Sequence, residues 1–129
     1  MPQFMLIGLC EPEDEAGQAA FEEWFINQHI EDTTHCPGFV RGRVFELRGP
    51  HLDIQSVSRY ISLYEVEADS YEEAERILNE WQATPDAWPG RAHHWQTAER
   101  LGGMPMRIGG SGWYELLGDY AGPGAKDSG

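Results

Sequence analysis

Lysine is almost missing from this 129-residue chain, whose positive charge comes from eight arginines and the single Lys126. Against 22 acidic residues, this leaves a formal net charge of −13. Such a surface repels phosphate backbones and anionic lipid head groups, so nucleic acid and membranes are not expected as partners. Schiff-base chemistry is also disfavoured, because Lys126 lies in a glycine-rich tail.

Cysteines and long apolar runs are scarce as well. Cys10 and Cys36 lack any close spacing, which favours two reduced, buried thiols over a disulfide. No run of about 18 apolar residues is present, and "MPQFMLIGLC" is too short for a secretion signal before acidic residues follow. We therefore expect a cytoplasmic protein with one domain over residues 1–120 and a flexible tail over 121–129.

Hydrophobic periodicity and turn residues divide the chain into strands and helices. Pro37 and Gly38 end the first helix, and Ser70 with Glu73 forms a capping box that opens the second. The resulting order, β-α-β-β-α-β, predicts a ferredoxin-like α+β subunit with helices on one face of a four-stranded antiparallel sheet. Strands are predicted at 3–10, 39–48, 56–67 and within 112–119, and helices at 14–35, 71–81 and 90–101.

The second sheet face also needs a cover. Along the strand at 56–67, Ile61 and Leu63 alternate with Tyr60, Ser62 and Tyr64, so neither side is uniformly polar. The strand at 39–48 shows the same mixture. We therefore expect the helices to cover one face of the sheet and a second subunit to cover the other, which predicts a homodimer.

These motifs resemble a known family. The helix pattern "W-x4-H-x2-D", then "PGF" leading into a strand, then the aromatic strand "RYISLYEVE" are similar to the dimeric α/β-barrel superfamily, closest to its ether-degradation and related small bacterial subfamilies. The resemblance covers about residues 3–119. It implies two sheets that close face to face into a barrel, and a ligand cleft in each subunit between its own sheet and helices. Members include cofactor-free monooxygenases, polyketide cyclases, isomerases, dehydratases and haem enzymes, so the fold does not select a reaction.

The first helix carries two polar residues where core residues are expected. At about 100° per residue, His29 falls in the band of Phe21 and Phe25, with Asp32 one turn further on. In one interpretation both are structural, with His29 bonded to a backbone carbonyl and Asp32 paired with an arginine. In the other they line a cleft, where His29, ionising at about pH 6–7, transfers protons and Asp32 assists it. We favour the second, because the resemblance places this histidine position at the cleft.

Further site candidates come from the third strand and the last helix. Tyr60 and Tyr64 share a strand face, and their hydroxyls could donate to an oxyanion in a catalytic role. His93 and His94 are adjacent and diverge by about 100° in a helix, so only one of them can face the site. The residues predicted to bind substrate are Trp24, Phe25, Trp88, His93, His94 and Trp95.

Neither a metal nor a cofactor is predicted. The histidines and carboxylates lack the close ligand spacing of a metal site, and "GGMPMRIGGSG" does not lie between a strand and a helix as a nucleotide-binding loop does. We therefore expect a small cofactor-independent enzyme of lyase, cyclase or isomerase type that uses acid/base chemistry on a hydrophobic aromatic or polyketide-like compound. The alternatives are a cofactor-free monooxygenase of an electron-rich aromatic and a non-catalytic small-molecule-binding protein of the same fold.

Overall fold

Four strands form one antiparallel sheet in the computed structural model, which describes residues 1–52 and 58–125. The strands are β1 (Gln3–Glu11), β2 (Phe39–Glu46), β3 (Tyr60–Glu67) and β4 (Arg107–Glu115). Their order across the sheet is β2-β3-β1-β4, and every neighbouring pair is antiparallel. This order is that of the ferredoxin-like fold, which confirms the predicted α+β class.

Three helices follow the predicted sequence order. The first, α1, covers 18–34 as three consecutive segments: an α-helical turn Gln18–Phe21, a π-helical stretch Glu22–His29 and an α-helical end Ile30–Thr34. A short 3-10 turn, Glu15–Gly17, precedes it. Helix α2 spans Tyr71–Gln82, and the Ser70 hydroxyl accepts a hydrogen bond from the Glu73 N–H (3.2 Å), as the capping box predicted. Helix α3 spans Arg91–Arg100.

The helix-facing side of the sheet is the side that positions the candidate site. On β3, Tyr60, Ser62, Tyr64 and Val66 are buried, in the alternation that the sequence predicts. Opposite Ser62 lies Gly8 of β1, where an added Cβ would come within 2.6 Å of the Ser62 Oγ. A larger residue at this position would require the Ser62 hydroxyl to shift, and the glycine leaves space in front of β1.

The last strand differs from its prediction. It begins at Arg107 instead of near 112, because the glycine-rich segment continues the sheet: Gly110 pairs with Leu9 and Gly112 with Ile7. Glycine lacks strand propensity, but the exposed backbone of β1 provides a partner that holds this edge strand. The predicted start of β3 at 56 lies outside the described residues, and the described part of β3 begins at Tyr60. The end of the predicted tail, 126–129, also lies outside them.

The opposite face of the sheet carries a broad apolar surface. Phe45 and Tyr114 are 45% and 59% exposed on it, and Glu65 forms an ion pair with Arg43 (3.4 Å) among them. A cavity of about 300 Å³ on this side is lined by Met5, Ile7, Leu63, Tyr114, Leu116 and Leu117, among others. Within residues 1–52 and 58–125, no helix has the length and apolar character needed to cross a membrane.

Both cysteines agree with the expected reduced state. Cys10 lies in β1, and Cys36 lies in the turn after α1. Both are buried and neither is in a disulfide, and burial raises the pKa of each thiol, that of Cys36 to about 12. They are therefore packing residues that remain protonated at neutral pH.

Candidate active site

A buried ion pair joins the end of α1 to the start of α3. Asp32 is 2% exposed and Arg91 is 1% exposed. The Arg91 Nη1 donates to Asp32 Oδ2 (3.1 Å), and the Trp88 Nε1 donates to Asp32 Oδ1 (2.7 Å). The Arg91 Nη2 donates to the Gln82 carbonyl (2.8 Å). Each charge is thus compensated away from water, which is the condition for burying such a pair.

Two histidines meet beside this pair. His29 Nδ1 and His94 Nε2 lie 2.9 Å apart, at hydrogen-bonding distance, although they are 65 positions apart in the sequence. His94 Nδ1 lies 3.9 Å from Asp32 Oδ2 and, within the part of the chain that the structure describes, has no hydrogen-bond partner. The ring of Trp24 stacks on both imidazoles, with ring centroids 4.4 Å and 4.9 Å away, and its Nε1 donates to the His94 carbonyl (2.9 Å).

The π-helical stretch explains how α1 presents these residues. Its hydrogen bonds span five residues, as in the bond from the Ile30 N–H to the Phe25 carbonyl. Residues five apart therefore share a face, and Trp24 comes to lie against His29. The α-helical spacing used for the sequence prediction grouped His29 with Phe25, whose rings are 5.6 Å apart, but did not bring Trp24 to it. π-helical segments are rare and occur frequently at functional sites.

Burial keeps both imidazoles neutral. It lowers the pKa of His29 to about 3, with further lowering from the neighbouring His94 and Arg91. Burial also lowers the pKa of His94, partly opposed by the carboxylate of Asp32. This low pKa differs from the predicted ionisation of His29 at about pH 6–7, because the sequence does not show that the residues packed around the partly buried ring remove it from water. At neutral pH the two rings share one proton in their hydrogen bond.

A small cavity borders His29 on the side of the sheet. It lies between the sheet and the helices of the same subunit and has a volume of about 100 Å³. Burial raises the pKa of Tyr64, so this phenol remains protonated, and Thr33 hydrogen-bonds to it. The apolar lining includes Leu6, Phe25, Leu78, Met106 and Ile108. The hydroxyl groups of the lining residues are those of Thr33, Ser62, Tyr64 and Ser111, and Gln82 adds an amide.

Most of the predicted site residues come together, but Tyr60 does not, and His93 lies with Trp88 and His94 on a separate cavity of about 330 Å³. The Tyr60 hydroxyl accepts from Gln18 Nε2 (2.8 Å) and donates to Glu46 Oε2 (2.9 Å), and Tyr60 does not line the cavity. Of the two adjacent histidines, His94 is buried in the cluster, whereas His93 is exposed. The cluster contains Trp24, His29, Asp32, Trp88 and His94, while Phe25 and Tyr64 line the cavity.

Two of the tryptophans predicted to bind substrate, Trp88 and Trp95, pack against the cluster outside the cavity. Trp95 is 40% exposed and packs edge-on against His94, with ring centroids 4.5 Å apart. Trp88 stacks on His35 at 3.7 Å while it bonds to Asp32. Neither tryptophan lines the cavity beside His29, so neither is placed to contact a molecule bound there.

Arg91 is the residue that the sequence analysis did not identify. An arginine partner for Asp32 was part of the structural interpretation, and the structure shows that partner to be Arg91. That interpretation also gave His29 a backbone carbonyl as partner, which is wrong, since its partner is His94. A signal was present in α3, where Arg91, His94 and Thr97 recur at helical spacing and form a buried polar stripe.

The same cluster has the residue types of a metal site. His29, Asp32 and His94 offer ligand atoms within 4.8 Å of one another, a grouping that the sequence hid because two helices contribute to it. However, both Asp32 oxygens already accept hydrogen bonds, and the guanidinium of Arg91 lies 3.1 Å from one of them. That positive charge opposes a second cation, so the arrangement is better suited to proton transfer.

Known structures of low sequence identity share this fold. No family model and no curated protein sequence matches the chain significantly. HapK from Hahella chejuensis has 18% identity and a TM-score of 0.56, covering 94% of this chain and 99% of HapK. An EthD family protein from Bacillus halodurans has 17% identity and a TM-score of 0.51, covering 91% of this chain and 100% of that protein. These two structures share the ferredoxin-like fold that the resemblance seen in the sequence implies.

Proposed function

We propose that the protein is a small cofactor-independent enzyme that uses His29 to transfer protons on a hydrophobic aromatic or polyketide-like compound, in a lyase, cyclase or isomerase reaction. The observation that carries the proposal is the position of His29, which borders the cavity and whose Nδ1 lies 2.9 Å from His94 Nε2. Burial lowers the pKa of His29, so the ring is unprotonated at neutral pH but weakly basic. A proton that it accepts is therefore stabilised only if the charge passes to His94, which lies beside the Asp32 carboxylate.

The cavity lining supports an apolar substrate with one oxygen near the reacting carbon. Its volume of about 100 Å³ is below the roughly 300–1,000 Å³ of most ligand pockets, so only the reacting ring of a larger compound would enter. Apolar residues such as Phe25 line that space, and so do Ser62 and Tyr64, which carry hydroxyl groups. These hydroxyls would donate to a ketone or phenol oxygen as negative charge develops on it.

The reaction then requires that His29 remove one proton from the substrate and return it. His29 removes a proton from a carbon next to the carbonyl or from a phenol, and the electron pair moves onto the oxygen. An isomerase returns the proton from His29 to another carbon. A lyase passes the proton to the group that leaves as the carbon bond breaks. In a cyclase the enolate carbon bonds to a second carbonyl carbon of the substrate, the π electrons of that carbonyl move onto its oxygen, and this oxygen takes the proton. Each route balances protons within the site and requires no external oxidant.

The test compares His29→Ala with His93→Ala on a panel of aromatic polyketones and phenols. The first variant should lose turnover by roughly 10²–10⁴-fold, the usual contribution of one acid or base. The second removes an exposed histidine outside the cavity and should keep wild-type turnover. Circular dichroism checks that both variants are folded. Equal turnover in wild type and His29→Ala would refute the proposal.

Two further readouts separate the alternatives. Oxygen consumption in proportion to product, measured with an oxygen electrode, would replace the proposed reaction by cofactor-free monooxygenation. Saturable binding of panel compounds without any product, measured by calorimetry and mass spectrometry, would indicate a non-catalytic binding protein. Product formed without oxygen uptake would support the lyase, cyclase or isomerase reaction.

A further inference from the structure

We infer that His94 is a positioning residue which, together with Asp32, fixes the tautomer of His29 so that Nδ1 carries the proton and Nε2 is the free base. The catalytic meaning of this inference rests on the proposed function. The tautomer itself is a property of the resting protein and can be measured without any substrate.

The hydrogen bond between the rings allows two arrangements. With both imidazoles neutral, one proton lies between His29 Nδ1 and His94 Nε2, and either ring could be its donor. If His94 donates, its Nδ1 carries a lone pair. If His29 donates, His94 accepts at Nε2 and carries its own proton on Nδ1, and the lone pair of His29 is on Nε2. The surroundings of His94 Nδ1 therefore decide the tautomer of both rings.

Asp32 favours the arrangement in which His29 donates. His94 Nδ1 is buried, and its nearest ionic partner is the Asp32 carboxylate at 3.9 Å. A lone pair there would face a negative charge, whereas an N–H is attracted to it. The positive charge of Arg91 acts in the opposite sense, but its Nη atoms donate to Asp32 and to the Gln82 carbonyl. Among residues 1–52 and 58–125, His94 Nδ1 has no hydrogen-bond partner, neither donor nor acceptor, so the charge of Asp32 at 3.9 Å, and not a hydrogen bond, selects the form of the ring.

The same geometry allows a proton to be transferred from His29 to His94 during turnover. When His29 Nε2 accepts a proton from the substrate, its Nδ1 proton can pass across 2.9 Å to His94 Nε2. The positive charge then lies on His94, 3.9 Å from the Asp32 carboxylate, instead of beside the apolar cavity. Returning the proton to the substrate reverses both transfers, so the pair is restored without any net change.

The experiment is long-range ¹H–¹⁵N NMR on protein labelled with ¹⁵N-histidine, at about pH 7.5, where both rings are neutral. His29→Gln and His94→Gln variants assign the two ring systems. We expect both rings of the wild type in the Nδ1–H form. An Nε2–H form of His29 would overturn the inference. Zn²⁺ bound at one equivalent, with shifts of both rings, would also overturn it, since a metal between the nitrogens would replace the shared proton.

Variants of the carboxylate test what selects the tautomer. Asp32→Asn should move His29 towards the Nε2–H form, because the negative charge beside His94 is gone. Since this change leaves Arg91 buried without its anion, the double variant Asp32→Asn/Arg91→Gln provides a neutral pair with the same expectation. His93→Gln is the control and should change neither ring. An unchanged Nδ1–H form in the folded double variant would refute the role of Asp32.

The tautomer measurement and the turnover measurement test this inference and the proposed function independently. A wild-type Nδ1–H tautomer combined with full turnover in His29→Ala would refute the proposed reaction and leave the positioning intact. An Nε2–H tautomer combined with loss of turnover in His29→Ala would refute the positioning and leave the base intact. With both correct, His94→Gln should lower kcat and leave KM nearly unchanged, because His94 does not line the cavity.

Discussion

Replacing Arg91 by methionine should destabilise the protein more than any other single arginine substitution in the described part of the chain. Methionine replaces the apolar part of the stem but ends before the guanidinium carbon, so the contacts of that carbon with the rings of Trp81 and Trp95, each 5.6 Å away, are removed as well. What is lost is the charge and the two hydrogen bonds to Asp32 and Gln82. Among the side chains of the described residues, Asp32 would then keep one hydrogen-bond donor, the Trp88 N–H.

The expected cost follows from these two bonds. A hydrogen bond to a charged group contributes about 1.5–3 kcal/mol, so two bonds together give roughly 3–6 kcal/mol. Breaking a buried ion pair by removing one partner costs about 3–5 kcal/mol in other proteins, which is the same range. Exposed ion pairs contribute little because water screens their charges, but the side chains of Arg91 and Asp32 are only 1% and 3% exposed, so their pair is not weakened in this way. We therefore expect a loss of about 3–5 kcal/mol in the free energy of unfolding.

Urea denaturation followed by tryptophan fluorescence measures this loss. Arg76→Met is the matched control, because Arg76 forms its ion pairs with Glu73 and Glu80 on the exposed side of α2 and should be replaceable with little effect. The double variant Asp32→Asn/Arg91→Met should lose less than the sum of the two single variants, since no lone charge remains buried. An Arg91→Met midpoint within error of the control would refute the assignment of a closed, water-free pair.

Other parts of the molecule yield three further expectations. Because burial lowers the pKa of His29 to about 3, the unfolded chain binds a proton at a higher pH than the folded chain does. The stability of the protein should therefore fall as the pH drops from about 6.5 towards 3. In acid titrations followed by circular dichroism, His29→Gln should reduce this pH dependence by up to one proton, and His93→Gln should not. Light scattering should give twice the monomer mass for the wild type, and Leu63→Glu on the outer sheet face should yield monomers; a monomeric wild type at micromolar concentration would contradict the homodimer. Gly42→Ala should cost about 1–3 kcal/mol in urea melts, because its Cβ would come within 2.1 Å of Thr34 Oγ1, while Gly49→Ala has open space and should be neutral.

The sequence by itself was sufficient for the order and type of the elements. Pro37 and Gly38 end α1, Ser70 caps α2, and the alternation along β3 assigns Tyr64 and Ser62 to one face. These signals are local, because they depend on backbone preferences and on the period of the apolar residues. The main error, the late start assigned to β4, arose where local preference is weak and pairing with β1 holds the strand.

The site was predictable only in part, for a different physical reason. Single residues such as His29 and Asp32 could be recognised, because a polar side chain within an apolar stripe is visible in the sequence. Their partners could not, since His94 and Arg91 lie 65 and 59 positions away and reach them only after α3 packs against α1. The pKa of His29 depends on the same packing, because burial is its largest cause. The sequence thus determined which chemical groups are available, and the tertiary structure decided which of them share a proton, because hydrogen bonds and desolvation depend on distances in space.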